Sequence, residues 1–286
     1  MVGIVSYGTY IPKYRIKIED QLKTLLTEVL NIAKSAGEEI LSLYHGLEEI
    51  VVTLKEDHTP LTKADLAADH IITAQLSALS QRHPVLSEES VATDFAERQT
   101  WSQYWLVDPL DGTREFIHHT NDFTVNIALI VAQKPVLGVV HAPAHGVSYI
   151  AAHEVGVFKV TAAGIWQPIR VRPKPDKPTV VVSRFHNSGG ILAQHLQKMG
   201  ECTIIPVGSA LKPCLIAEGV ADLYVRFGPT SEWDTAASQC ILEMAGGRMF
   251  DLSGQALCYN TKDSLLNPAF ISVGDTSIDW LNYLQL

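Results

Sequence analysis

At 286 residues, with 47% hydrophobic and 19% charged side chains, the chain has material for one large core or two that share a cleft. Twenty-two Lys and Arg against 31 Asp and Glu give a net charge of −9, which argues against a general binder of nucleic acid polymers or anionic membranes. No apolar run reaches the roughly 18–20 residues of a membrane-spanning helix, and the first residues lack the basic-then-apolar layout of a signal peptide.

Residues 1–20 read as an extension or leader apart from the functional chain, a glycine-spaced strand followed by a basic patch. From Gln21 to about Leu43, Leu22, Leu25, Leu26, Val29, Leu30, Ala33, Ala36 and Ile40 recur at three-to-four spacing, which predicts a long amphipathic helix. A β-branched strand at 50–54 and a loop at 55–60 precede a second helix from Thr62 or Lys63 to about Ser80, with Asp65 in its first turn. A short strand at 84–86 runs into the polar loop 87–90, and another at 105–107 leads into a turn, with a helix starting at Thr113. Segments 123–131, 135–141, 147–152 and 156–160 read as an antiparallel meander. The proline-rich run 172–178 is the best linker in the chain.

Beyond it the texture alternates: strand 179–183, helix 189–199, strand 202–207, helix 209–217, strand 223–227. Helix 235–245 follows with Asp234 as its N-cap, then strands 248–251 and 270–273 and a final helix at 278–284. The expected organisation is therefore mixed, an α+β half over 21–172 and an α/β half over 179–286. Cys202, Cys214, Cys240 and Cys258 form no C-x-x-C pair and read as reduced, mostly buried thiols. His118-His119 lacks zinc-type spacing and reads as surface.

The chemistry concentrates at Asp108-Pro-Leu-Asp111-Gly-Thr113. Proline fixes one φ, and Gly112 permits a positive φ or close backbone approach. Two carboxylates and the Leu110 carbonyl are hard oxygen ligands of the type Mg²⁺ prefers. Read alone, the segment is equally an ordinary solvated turn. Asp65, Glu88 and Asp234 stand at other element ends, and each taken singly has a structural reading: helix-dipole partner, polar loop, N-cap.

Together they are more specific. Thr62-Lys-Ala-Asp65, Ser87-Glu88-Glu89, Asp108-Pro-Leu-Asp111-Gly-Thr113 and Trp233-Asp234-Thr-Ala-Ala237, followed by Ala245-Gly-Gly247, resemble the inositol monophosphatase superfamily of Mg²⁺-dependent, lithium-sensitive phosphatases. The resemblance runs from about Gln21 to at least Pro268. Segments 105–117, 123–129, 183–186, 208–212 and 223–230 are similar to its CysQ-type 3'(2'),5'-bisphosphate nucleotidase branch. Arg114 stands where lysine is frequent, and Ala210 where a second serine is.

The resemblance implies a layered αβαβα sandwich and two Mg²⁺ ions, with a third in some members. It makes Asp108 the bridging ligand, Glu88 and the Leu110 carbonyl ligands of the first ion, and Asp111 with Asp234 ligands of the second. Asp65 and Thr113 become the pair that activates water. Gly112 and Thr113 would hold phosphate through backbone N–H groups, while Ser183, His186, Gly208, Lys212, Arg226 and Asp234 would contact substrate.

The implied reaction is hydrolysis of the 3'-phosphate of adenosine 3',5'-bisphosphate, in the cytoplasm. Peripheral membrane association and a homodimer both remain open on this reading. The rivals are an inositol or other sugar-phosphate phosphatase on the same scaffold, and a catalytically silent protein that binds metal or nucleotide.

Overall fold

The apolar stripe of the first helix decides where the chain begins to pack. In the computed structural model, which describes residues 13–46, 51–54, 60–90, 93–185 and 190–286, helix α1 spans Lys13–Tyr44. Leu26, Val29, Ala33, Ala36 and Ile40 lie fully buried along it. The helix thus starts eight residues before the expected Gln21. The added residues 13–20 lack a sustained three-to-four apolar spacing, and periodicity cannot mark such a start.

Strands β1 (Val52–Leu54) and β2 (Pro60–Thr62) form a hairpin, so Pro60 is a strand residue where a loop was expected. Helix α2 (Lys63–Ala78) buries Ala64, Ala68, Ile72 and Leu76 on one side. Then come β3 (Val85–Ser87), a single turn α3 (Phe95–Arg98), β4 (Gln103–Asp111) and a short α4 (Thr113–Ile117). Strands β5 (Thr124–Val131), β6 (Lys134–Ala142), β7 (Val147–Ala152), β8 (Gly156–Val160) and β9 (Trp166–Pro168) complete a seven-stranded sheet ordered as in the chain. Only its β3–β4 pair is parallel; the rest is the expected meander, longer by β4 and β9.

After residues 169–178 the chain enters a second sheet. Its elements are β10 (Thr179–Ser183), α5 (Ile191–Met199), β11 (Thr203–Val207), α6 (Leu211–Ala217), β12 (Leu223–Arg226), α7 (Glu232–Met244), β13 (Arg248–Asp251), β14 (Phe270–Val273) and α8 (Trp280–Leu284). The strand order is β11-β10-β12-β14-β13, with parallel pairing around β10 and antiparallel pairing around β14.

Side-chain alternation turns these elements into layers. Val125, Ile127 and Leu129 of β5 face the α1 and α2 core, while Ala128 and Ile130 face α6 and α7. Across that middle layer, Val181 and Tyr224 of the smaller sheet join the same core. Val180, Leu223 and Val225 turn the other way, towards α5 and α8. The result is αβαβα. Its tightest contact is at Gly138 of β6, where an added Cβ would lie 2.4 Å from the Ala237 carbonyl oxygen of α7. Gly138 lets the middle helix seat directly on the sheet.

No helix among the described residues is long and apolar enough to cross a membrane. All four cysteines are free; Cys214 and Cys240 are buried, whereas Cys258 is exposed and Cys202 intermediate, so only half are interior.

Candidate active site

The acidic segment is not a turn following a strand, as its composition suggested. It is the end of β4 itself. Asp108 pairs with Asn126 and Asp111 with Thr124, so one strand carries an extra residue over this interval. In a regular strand, residues three apart face opposite ways. The inserted residue restores the phase and sets both carboxylates on one side. Pro109 suits the irregularity because it has no N–H to leave unpaired. Gly112 then takes φ +91°, and an added Cβ would meet the Asp122 carbonyl at 3.1 Å and Phe123 Cα at 3.3 Å. Thr113 opens α4 directly behind it.

Three elements bring the other acids to this point. Glu88 follows β3, and its neighbour Ser87 donates to Asp69 Oδ1 of α2 at 2.5 Å, which fixes the strand end. Glu88, Asp108 and Asp234 each offer a carboxylate oxygen, all within 4.8 Å of one another. Asp111 Oδ2 accepts from Asn126 Nδ2 at 3.3 Å, and Asn126 Oδ1 accepts in turn from the Thr124 hydroxyl at 2.9 Å.

Asp65 and Asp234 share one local device. Asp65 Oδ2 accepts from the Thr62 backbone N–H at 2.7 Å and the Thr62 hydroxyl at 2.6 Å, closing a capping box on α2. Its Oδ1 accepts from the Thr113 hydroxyl at 3.1 Å. Asp234 Oδ2 accepts from Ser231 N–H at 2.9 Å, closing the capping box on α7. The cap of α7 is therefore Ser231, and Asp234 is the third helical residue reaching back. Each aspartate spends one oxygen on its helix.

The electrostatics are those of a crowded anionic site. Burial, then Glu88, Asp111, Asp234 and Asp65, push the Asp108 carboxyl well above its usual range. Burial, then Asp111 and Glu88, do the same to Asp234. Asp111 is raised to about 6 by burial, against the opposing pull of Lys212. Burial also raises Asp65, opposed by its hydrogen bonds from Thr62 and Thr113. Glu88, Asp108 and Asp234 offer an all-oxygen donor set, and neutralising it calls for a hard divalent cation. The residues fit such an ion.

The opposite wall comes from the second sheet. Glu88, Asp108, Asp111 and Asp234 line one cleft of about 580 Å³ with Thr113, Ser183, Lys212 and Arg226. Buried Lys212 donates to the Ser209 carbonyl at 2.5 Å, and Ser209 takes φ +48° to present it. Burial lowers the Lys212 ammonium, with Asp111 and Glu115 opposing. Arg226 donates to the Gly228 and Pro229 carbonyls at 3.2 and 2.8 Å, bracing the loop that leads to Asp234. Gly208 packs so closely that a Cβ would lie 2.5 Å from Glu115 Cγ. Arg114 is exposed at the rim. His186 lies outside the described residues. His118 and His119 are exposed, as expected.

A second cavity of about 560 Å³ opens between β10, β12 and α5, and shares Ser183, Tyr224 and Arg226 with the cleft. Sequence reasoning missed Glu115, Asp122, Asn126 and Asp69. Only Asn126 carried a signal, since Thr124 and Asn126 are polar at alternate positions of an apolar strand that buries them both.

Comparison with known proteins gives the same direction. The sequence profile described as the inositol monophosphatase family matches residues 21–275. The 3'(2'),5'-bisphosphate nucleotidase CysQ of Salmonella typhimurium is 46% identical over 246 residues, 86% of this chain and 98% of that protein. Its counterpart in Haemophilus influenzae is 40% identical over 262 residues, 91% and 97% of the two chains. The crystal structure of CysQ from Bacteroides thetaiotaomicron superposes with a TM-score of 0.78 at 37% identity, covering 88% of this chain and 97% of that one. An inositol monophosphatase from Anabaena, at 23% identity and TM-score 0.71, shares the fold. The chain belongs to the inositol monophosphatase family.

Proposed function

We propose that this protein is a Mg²⁺-dependent phosphomonoesterase that removes the 3'-phosphate of adenosine 3',5'-bisphosphate, yielding AMP and phosphate. The observation that carries the chemistry is the Thr113–Asp65 hydrogen bond beside the Glu88, Asp108 and Asp234 carboxylates. Uncatalysed hydrolysis of phosphate monoesters is extremely slow, so charge on the phosphoryl and leaving oxygens must be strongly stabilised.

Glu88, Asp108, Asp111, Asp234 and the Leu110 carbonyl would hold two Mg²⁺ ions. Bound Mg²⁺ would supply Lewis acidity and lower the pKa of water. Asp65, pinned by its capping box, accepts the Thr113 proton and leaves the Thr113 oxygen free to take one from the attacking water. Water oxygen bonds to phosphorus as the bond to the ribose 3'-oxygen breaks, and that oxygen leaves with a proton from solvent. Backbone N–H groups of Gly112 and Thr113, at the start of α4, orient the phosphoryl group.

The nucleotide is supported by relatives that carry this activity in their names at 40–46% identity. A second cavity that shares Ser183, Tyr224 and Arg226 with the cleft also suits a substrate larger than one phosphorylated ring. Ser183, Lys212 and Arg226 are its candidate contacts from the smaller sheet, and His186, later in the same segment of the sequence, is a further candidate.

The test is phosphate release from adenosine 3',5'-bisphosphate beside inositol 1-phosphate, with Mg²⁺ supplied or chelated. Preference for the nucleotide, lost on chelation, is the expected result. Preference for the inositol ester would leave the metal site standing and overturn the substrate.

A further inference from the structure

We infer that Asp122 is a positioning residue: it locks the two substrate-side segments onto the acidic side of the cleft and so sets how tightly substrate is held. The inference rests on the phosphatase reading above, but not on which phosphomonoester is the substrate.

Asp122 ends a short segment between α4 and β5 whose backbone is held in an unfavourable form. His119 and Asn121 take φ of +52° and +68°, conformations that residues other than glycine rarely adopt. Such conformations persist only where the surroundings over-determine them. Here Tyr44, the last residue of α1, donates to Asn121 Oδ1 at 2.8 Å, and Thr120 N–H donates to the Glu115 carbonyl at 3.0 Å. The segment is thereby aimed, and what it aims is one carboxylate.

That carboxylate gathers three donors from three places. His145 Nε2 lies 3.1 Å from Oδ1; Arg184 Nη2 and the Gly208 backbone N–H lie 2.7 and 3.1 Å from Oδ2. Burial alone would raise this carboxyl, but the bonds from His145, Arg184 and Gly208 overturn that and hold it at about 2. It is therefore fully ionised at working pH.

The partners matter because of what adjoins them. Arg184 follows Ser183 at the end of β10, and Gly208 precedes Ser209, whose carbonyl holds Lys212. One anion on the larger sheet's side thus fixes two strand ends of the smaller sheet beside the cleft, those of β10 and β11. There is no slack in the contact, since a Cβ at Gly208 would lie 2.8 Å from Asp122 Cβ.

The experiment compares steady-state kinetics of the full chain with Asp122→Asn, Arg184→Ala and the double variant, at saturating Mg²⁺. The substrate is whichever phosphomonoester the unsubstituted chain hydrolyses best, so a wrong substrate assignment leaves the comparison valid. Affinity for inorganic phosphate, read by calorimetry, gives the same comparison without turnover. Each single change should raise KM, or the phosphate Kd, roughly tenfold, the size of a lost hydrogen bond to a charged group. kcat and the Mg²⁺ activation midpoint should stay within about twofold, and the double variant should match the singles rather than multiply them.

A folded variant with unchanged KM and a lowered melting temperature would reduce Asp122 to a structural role. Effects that multiply, or that fall on kcat, would equally overturn the inference. Should Asp122→Asn fail to fold, the half-exposed Arg184 carries the test alone.

Discussion

Removing divalent cations should make the cleft a source of instability that grows with pH. Unit charges 4.8 Å apart repel by about 3–4 kcal/mol at an effective dielectric of about 20. Three such pairs would rival the whole stability of an ordinary domain, about 5–15 kcal/mol. The metal-free protein must therefore retain protons, in keeping with the raised carboxyls of Asp108, Asp111 and Asp234.

A carboxyl raised on folding contributes stability that is complete below its unfolded value and lost as pH climbs through its folded one. For Asp111 the window runs from 3.8 to about 6, worth about 3 kcal/mol at 1.36 kcal/mol per pH unit. Translated to melting temperature, that is roughly 5 °C or more for a chain of this size.

The assay is thermal unfolding at pH 5 and 7.5, with EDTA or with saturating Mg²⁺. Two other buried groups titrate nearby. His141 is held down at about 4 by burial and Glu232 is raised to about 7 by burial, but both contribute under either condition. They cancel in the difference. The Mg²⁺-minus-EDTA gap in melting temperature should widen from pH 5 to 7.5, and widen less in Asp108→Asn. A gap that does not change with pH would refute the reasoning.

Two further changes probe other links. Thr113→Ala should lower kcat by roughly 10²–10⁴-fold, the range for lost acid–base assistance, while the Mg²⁺ activation midpoint holds; a loss below tenfold would remove the dyad from the mechanism. Gly138→Ala places a methyl 2.4 Å from the Ala237 carbonyl, so α7 must shift at a cost of about 1–3 kcal/mol. Because Asp234 rides on that helix, calorimetry should show lower stability together with weaker Mg²⁺ binding, and an unchanged melting curve would contradict the close packing.

Most of the architecture was written in local pattern, because amphipathic periodicity and turn residues act over a few positions. The α1 stripe, the meander β5 to β8 and the alternation after β10 all follow from it. Short elements escaped. β2 starts on a proline, β9 ends on one, and α3 is a single turn without a stripe.

At the site, the acids were legible as residue types, but their convergence came through resemblance. No spacing rule links Asp65 to Thr113 or Asp234 to Glu88. The bulge in β4 was invisible because it depends on how many residues β5 sets opposite. Asp122 was invisible for a related reason, since its partners His145, Arg184 and Gly208 are 23 to 86 positions away.

The middle layer has a consequence for the order in which this protein matures. Glu88 directly follows β3, whose parallel partner β4 carries Asp108, and both precede the second sheet in the chain. Asp234 arrives on α7, which lies between the two sheets and finds its seat only once both exist. A growing chain of about 200 residues would carry Glu88, Asp108 and Asp111 but no α7 to bring Asp234. The full set of acidic donors therefore exists only once α7 is seated between the two sheets.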